Sequence, residues 1–286
     1  MDRFVVVGAG TMGAGIGYVA ARAGYDVTIV EIDSGRGSAA LERVGSWADS
    51  AVERGRLDAE TALAIRDRLS TVTELTAVDT GADVIVEAVP ERPELKHTVL
   101  AAAEEREPKL LASNTSSISI ATLAEPLARP DRFLGLHFFN PVYAMALLEV
   151  VTGPQTAPEV VADALALARR LDKEPIVVAD APGFATSRLG VTLGLEAIRM
   201  LESGVASAAD IDTAMVLGYR HPIGPLELTD LVGLDVRLDI ARTLQSAYGD
   251  RFEPPSLLVR LVEEGRLGKK TGHGIYRWVD GKRVAE

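Results

Sequence analysis

The sequence predicts an α/β fold, a doubly wound and mainly parallel sheet followed by a smaller all-helical domain. Three observations predict it. Strand and helix patterns alternate from the N-terminus to about Ala179, a glycine-rich turn joins the first strand to the first helix, and the strand pattern stops after Ala181-Pro182-Gly183. Apolar runs alternating with helical stretches mark parallel strands joined by crossovers.

Taken in order, Phe4-Val5-Val6-Val7 is a continuous apolar strand, as expected of one buried on both faces. Gly8-Ala9-Gly10-Thr11-Met12-Gly13 follows it directly, and a helical pattern then runs to Gly24. Asp26-Val27-Thr28-Ile29-Val30 is a second strand, ending at the acid Glu31. Strand, glycine loop, helix, strand and terminal acid together are the dinucleotide fingerprint of a Rossmann-type domain. Gly8 permits the tight turn, Gly10 lets the backbone approach a pyrophosphate, and Gly13 lets the helix pack against the sheet. With Thr11 and Met12 they place the pyrophosphate on unpaired N–H groups at the helix N-terminus. A carboxylate at Glu31 accepts hydrogen bonds from the adenosine ribose and repels a 2′-phosphate. Ile32-Asp33-Ser34 bring no arginine to neutralise one, so NAD is favoured over NADP. Asp33 itself reads as a solvated loop acid.

A long helical stretch from Ser38 to Arg54 comes next, with a second helix from Ala59 to Leu69. Val84-Ile85-Val86 is a buried strand, Pro93 opens another helix, and Leu110-Leu111-Ala112 is a strand leading into Asn114. Two strands follow, one ending at His137 and one bearing Glu149, then a helix from Pro158 to Leu171 and a last strand at Ile176-Val177-Val178. Sites in such sheets belong at the carboxyl ends of the strands, where the glycine loop, Asn114 to Ser116 and His137 fall. At 286 residues the chain exceeds what one hydrophobic core usually organises. Pro182-Gly183 is the best boundary, giving a nucleotide-binding domain over 1–182 and a helical domain over 183–286. The latter reads as helices at roughly Thr186–Ser203, Ala208–Leu217, Pro225–Leu231, Gly233–Tyr248 and Pro255–Glu264.

The candidate chemistry lies in Ser113-Asn114-Thr115-Ser116-Ser117, Leu136-His137-Phe138-Phe139-Asn140-Pro141 and Leu147-Leu148-Glu149-Val150-Val151. A charge inside an apolar run such as that around Glu149 is expensive to bury unless something pairs with it. His137 is the ionisable group nearby that also sits on an apolar strand. A histidine held by a carboxylate is what a general base needs to take a proton from an alcohol. Spacing alone leaves a second reading open, a satisfied core histidine and an unrelated edge glutamate.

These residues, with Val86-Glu87-Ala88-Val89, Glu91, Lys96, Pro182-Gly183-Phe184, His221-Pro222-Ile223-Gly224-Pro225, Gly233-Leu234-Asp235 and Gly268-Lys269-Lys270-Thr271-Gly272, carry a resemblance over essentially the whole length. The chain resembles the 3-hydroxyacyl-CoA dehydrogenase family, in particular its short bacterial 3-hydroxybutyryl-CoA members. The resemblance implies NAD as cofactor, an acyl-CoA thioester as substrate, a homodimer, and a second domain used for substrate binding and dimerisation. It implies that His137 is the general acid/base, that Glu149 orients it, and that Ser116 holds the substrate oxygen. Asn114, Ser116, Asn140, Glu91, Lys96 and Lys270 would lie around the cofactor. Without it, Asn114 and Ser116 read as turn formers, and Glu91, Lys96 and Lys270 as solvated charges.

Three departures stand out. Ser187, ahead of Arg188, replaces an asparagine that the family places near the substrate. Tyr143 and Ala146 stand where relatives often have proline and lysine, and the helix between Lys96 and Asn114 is shorter than in some relatives. Arg36, Arg43, Arg54 and Arg56 are candidate cations for CoA phosphates, with Arg54 taken as a substrate contact. A carrier-protein thioester or a free hydroxy acid as substrate stays open, as does a non-catalytic cofactor-binding protein.

Composition sets further bounds. With 47% hydrophobic and 25% charged residues the protein is of an ordinary globular class. It has no cysteine, so disulfide and thiolate chemistry are excluded, and His97, His137, His221 and His273 are too scattered to suggest a metal site. No stretch is apolar and long enough to span a membrane, and strand residues begin at Phe4 in place of a secretory signal, which points to the cytoplasm. A net charge of −11 argues against nucleic acid as a partner. It does not exclude an anionic coenzyme, which needs only a local cationic patch.

Overall fold

The structure, a computed structural model, describes residues 2–284. The chain divides into two compact units, the first ending at Ala181 and the second beginning at Pro182. In the first unit the elements run β1 (Arg3–Val7), α1 (Thr11–Arg22), β2 (Asp26–Val30), α2 (Ser34–Glu53), α3 (Ala59–Asp67), β3 (Leu69–Val72), β4 (Val84–Glu87) and α4 (Pro93–Glu104). They continue as β5 (Leu110–Ser113), α5 (Ile120–Ala124), β6 (Phe133–Phe138), β7 (Leu147–Thr152), α6 (Pro158–Arg170) and β8 (Glu174–Ala179).

The eight strands form one sheet in the order β3-β2-β1-β4-β5-β6-β7-β8. Every neighbouring pair is parallel except β6 with β7, so the sheet is doubly wound and reverses direction of growth between β1 and β4. Val7 pairs with both Val30 and Glu87, Glu87 with Ser113, and Ser113 with Gly135. That register lines up the carboxyl ends of β1, β4, β5 and β6 on one edge. The central strands are apolar because helices cover both faces, and Phe4, Val6, Ile85, Val86, Leu134 and Leu136 are fully buried.

Two elements depart from the sequence expectation. The helix expected through Leu69 stops at Asp67, and Leu69-Ser70-Thr71-Val72 forms the edge strand β3. Being half-exposed, β3 carries no apolar run that would mark it as a strand. The long helix begins at Ser34, four residues earlier than its apolar pattern, because the Asp33 side chain accepts a hydrogen bond from Arg36 N at 3.1 Å. Asp33 is thus the N-cap of α2, not a solvated loop acid.

The second unit contains α7 (Thr186–Glu202), α8 (Ala208–Tyr219), α9 (Pro225–Val232), α10 (Leu234–Tyr248) and α11 (Ser256–Glu263). Leu195, Ile198, Leu226, Leu234, Leu238 and Leu258 form its core. A short hairpin of β9 (Arg277–Val279) and β10 (Lys282–Val284) is added to the helices. Buried Asp230 fastens it, accepting from Ile275 N, Tyr276 N and Trp278 Nε1 at 2.8–2.9 Å. No helix among the described residues is long and apolar enough to cross a membrane.

Candidate active site

The glycine loop connects β1 to α1. Gly8 has φ of 111°, and a Cβ there would meet Ala88 O at 2.7 Å. A Cβ on Gly13 would collide with Gly8 O at 1.8 Å, so glycine is required where α1 crosses the loop. At Gly10 nothing lies within 4 Å of the Cβ position, leaving the backbone accessible. Gly10 caps α1 without a side-chain hydrogen bond, and the first turn, with Thr11 and Met12, holds no acid. Such an N-terminus offers N–H groups and a positive dipole end to an anion, so these residues fit a dinucleotide pyrophosphate.

Glu31 is buried at 7% exposure, and its Oε2 accepts from Ala9 N at 3.1 Å. Arg36 Nη2 lies 3.5 Å from the same oxygen. Ile32-Asp33-Ser34 indeed bring no arginine, but Arg36, two residues beyond them and expected as a cation for CoA, lies against Glu31. Starting α2 at Ser34 folds its first turn back and brings Arg36 to the carboxylate. Arg54, exposed at the far end of α2, is eighteen residues on, or about 27 Å at 1.5 Å per residue.

A second layer lies at the ends of β4 and β5. Glu87, fully buried, accepts from Lys96 Nζ at 2.7 and 2.9 Å, from Ser113 Oγ at 2.6 Å and from Val89 N at 2.7 Å. Lys96 is 1% exposed and also lies 3.2 Å from Glu91 Oε2, so it is an internal ion-pair partner and not a solvated helix charge. Glu91 Oε1 receives Thr115 Oγ1 at 2.6 Å, Ser116 N at 2.9 Å and Ser117 N at 3.1 Å, and Ser116 Oγ lies 3.3 Å away. Burial pushes the Glu91 carboxyl up, but the Lys96 ammonium and these donors outweigh it and hold it below the usual carboxylate range. The loop bearing Ser116 is thereby fixed by one carboxylate. Asn114 Oδ1 accepts from Phe138 N at 3.0 Å, tying this loop to the end of β6.

His137 and Glu149 are directly opposite each other on the antiparallel strands β6 and β7. Opposed residues of such a pair project to the same face. Glu149 is fully buried, His137 is 6% exposed, and Nδ1 to Oε2 is 2.6 Å. The edge-glutamate reading is excluded, because β7 is flanked by β6 and β8. Phe139 packs on the imidazole with ring centroids 4.4 Å apart, and exposed Asn140 leads into the following loop. Buried Lys173 secures that loop, donating to Val142 O and Met145 O at 2.5 and 2.8 Å. Tyr143 joins Tyr18 and Trp47 in an aromatic cluster, which accounts for this departure as packing within the first unit.

In the second unit, Ser187 lies in the first turn of α7. The N-cap of that helix is Ala185, with no side-chain cap bond, so Ser187 is not the cap. Lys270 donates to both carboxylate oxygens of Asp235 at 2.6 Å. Sequence reasoning missed Glu87 as the centre of a buried network. Its signal was akin to the one that marked Glu149, an acid belonging to an apolar strand but here at the strand's end, with Lys96 as the partner.

Comparison with known proteins fixes the family. Residues 3–181 match the 3-hydroxyacyl-CoA dehydrogenase NAD binding domain, and residues 183–278 match the C-terminal domain of the same enzymes. The chain belongs to the 3-hydroxyacyl-CoA dehydrogenase family. NAD is accordingly its cofactor. It is 39% identical over 292 residues to a 3-hydroxybutyryl-CoA dehydrogenase of Mycobacterium tuberculosis, covering 97% of this chain and 99% of the relative. It is 42% identical over 282 residues to a 3-hydroxyadipyl-CoA dehydrogenase of Escherichia coli, covering 97% of this chain but only 59% of that longer protein. Among solved structures, (S)-3-hydroxybutyryl-CoA dehydrogenase of Ralstonia eutropha superposes with a TM-score of 0.93 at 37% identity, over 98% of this chain and 100% of the other.

Proposed function

We propose that the chain is an NAD-dependent dehydrogenase interconverting short-chain (3S)-3-hydroxyacyl-CoA and 3-oxoacyl-CoA, with His137 carrying the proton. The observation that carries this reading is the buried His137–Glu149 pair at 2.6 Å, on the sheet edge that also bears the glycine loop. Bound NAD supplies the hydride acceptor, and its reduced form the donor. His137 Nε2 takes the hydroxyl proton during oxidation and returns it during reduction. Glu149 holds Nδ1, fixes the tautomer and stabilises the imidazolium that forms. Ser116, positioned by Glu91, holds the substrate oxygen. Ser187 supplies a hydroxyl where relatives use an amide. Asn114, Asn140, Glu91, Lys96 and Lys270 belong to the cofactor surroundings in this reading, Lys96 by pairing internally with Glu87 and Glu91. Arg54 is a cation for a CoA phosphate.

Relatives are named for 3-hydroxybutyryl-CoA and for 3-hydroxyadipyl-CoA, whose acyl chains end in a methyl and in a carboxylate. The two chains differ in length as well as in their end group. The exposed apolar side chains of α7, α8 and α9 support a homodimer.

The test is NADH oxidation with acetoacetyl-CoA, its short pantetheine analogue and free acetoacetate. Acetoacetyl-CoA should be reduced far better than either. Comparable rates on all three would favour a free acid or carrier-bound substrate. His137→Ala should lower turnover by about 10² or more while NADH binding, followed by fluorescence titration, persists. Wild-type turnover in that variant would end the assignment.

A further inference from the structure

Lys173 is a buried cation of the first unit that the reaction leaves unused. At 5% exposure, its ammonium donates to two backbone carbonyls, Val142 O at 2.5 Å and Met145 O at 2.8 Å, and pairs with no carboxylate among the described residues. The adjacent acid, Asp172, accepts from Arg22 at 3.1 Å instead. Burial, helped by the Arg22 guanidinium, outweighs Asp172 and pulls the Lys173 pKa below that of an ordinary lysine. A dry ammonium without an anion is costly, and a methionine would fill the same space without that cost. What the charge holds is the turn between β6 and β7.

Lys173 reaches that turn because α6 ends in a left-handed residue, Asp172 at φ of 59°, and Lys173 N donates back to Ala168 O at 2.9 Å. The chain reverses there, and β8 starts beside the beginning of β7. Within the turn, Ala144 N and Met145 N donate to Pro141 O at 2.9 and 3.0 Å, and the carbonyls of Val142 and Met145 converge on Nζ. Ala144, Met145 and Ala146 are exposed, so the turn has few apolar anchors of its own. Val142 is its buried one, wedged against α1. A Cβ on Gly15 would come within 2.8 Å of Val142 Cγ2. Gly15 lies four residues after Thr11, about 6 Å into the helix whose first turn fits the pyrophosphate. At its other end the turn begins with Asn140, beside the Phe139 that packs on His137. One ammonium therefore clamps the segment that bridges His137 and the phosphate-binding helix.

We propose that Lys173 is a positioning residue for the cofactor, its ammonium holding the β6–β7 turn against α1 at the spacing where Asn140 meets bound NAD. The proposal rests on the reading above that puts Asn140 in the cofactor surroundings, and deepens it. Lys173 acts through backbone carbonyls and touches neither NAD nor substrate. The pairing of His137 with Glu149 lies on the strands themselves, so losing the ammonium loosens the turn and not the sheet.

The experiment compares the wild type with Lys173→Met and with Lys173→Cys alkylated before refolding. The chain has no other cysteine, so the alkyl group goes to this position alone. 2-Bromoethylamine rebuilds a lysine-like ammonium, and 1-bromopropane builds a neutral side chain of the same length. The readouts are the Kd of NADH by fluorescence titration, the KM values of NADH and acetoacetyl-CoA, and thermal melting. Lys173→Met and the propylated protein should bind NADH more weakly by about tenfold or more, while the KM of acetoacetyl-CoA stays within about threefold. The aminoethylated protein should recover most of the loss. NADH affinity in Lys173→Met within about threefold of the wild type overturns the proposal. So does a propylated protein that binds NADH as well as the aminoethylated one, which would leave the charge no part. Matched rises in both KM values, or failure of Lys173→Met to fold, assign the ammonium to general packing and overturn it too. If the alkylated proteins do not refold, Lys173→Met decides alone. A wild type that binds NADH without reducing acetoacetyl-CoA sinks the dehydrogenase reading instead, and the titration still decides the role of Lys173.

Discussion

Glu31 serves two purposes at once, and its neighbours decide what a change there does. Its Oε2 braces the glycine loop through Ala9 N, and the exposed Arg36 guanidinium stands 3.5 Å from the same atom. A carboxylate with four lone-pair sites can do this and still accept from a ribose diol. A 2′-phosphate would meet that charge at close range, so activity with NADH should exceed that with NADPH by at least about tenfold, or about 1.4 kcal/mol. Glu31→Gln keeps an oxygen for Ala9 N but removes the repulsion, and Arg36 is then available to a phosphate. The NADPH-to-NADH ratio of catalytic efficiencies should rise by about tenfold or more. Adding Arg36→Gln should erase that gain. A ratio indifferent to Glu31→Gln would remove Glu31 from the ribose.

At the scale of elements, the loop after β5 shows how a carboxylate sets backbone geometry. Glu91 gathers the backbone N–H groups of Ser116 and Ser117 and the Thr115 hydroxyl, while Lys96 bridges it to Glu87. Because the folded-state pKa of Glu91 is lowered, its stabilising contribution is complete above the unfolded value of about 4.3 and is lost as pH falls through the folded one. Denaturation midpoints should therefore rank the wild type above Glu91→Gln at neutral pH, and the gap should close in acid. A gap independent of pH would deny Glu91 this role. Lys96→Met should cost more, about 3–5 kcal/mol, since it leaves Glu87 buried and unpaired.

The same region marks the limits of reading a sequence. Strands β1, β4 and β6 are legible because helices on both faces demand unbroken apolar runs, and β3 is not, because an edge strand makes no such demand. An acid inside an apolar run announces a buried partner, and for Glu149 the candidate histidine lay on an equally apolar strand. For Glu87 the partner sits on α4, where a lysine looks like any surface charge until burial is known. The reach of Arg36 was hidden likewise, because it depends on where Asp33 starts a helix and not on spacing.

At the scale of the whole molecule, the question is what covers the apolar side chains that the second unit leaves open. Leu189 is 65% exposed, Leu217 75% and Tyr219 77%, and Leu231 and Val232 are about two-fifths exposed on α9, which packs against both α7 and α8. Scattered apolar exposure is normal, but several large side chains on mutually packed helices are what an interface requires. Each chain carries a net charge of −11, so two copies repel, and association must draw on apolar burial to overcome it. A twofold arrangement makes one patch serve both subunits. The protein should therefore sediment at twice the 30.4 kDa of the chain, more firmly as salt screens the repulsion. Leu217→Glu, at a position too exposed to disturb the fold, should shift the population toward monomer and do so most at low ionic strength. If the wild type runs as a monomer at every salt concentration, or if Leu217→Glu and Leu189→Glu both leave the dimer intact, the interface lies elsewhere and this face of the second unit has another occupant.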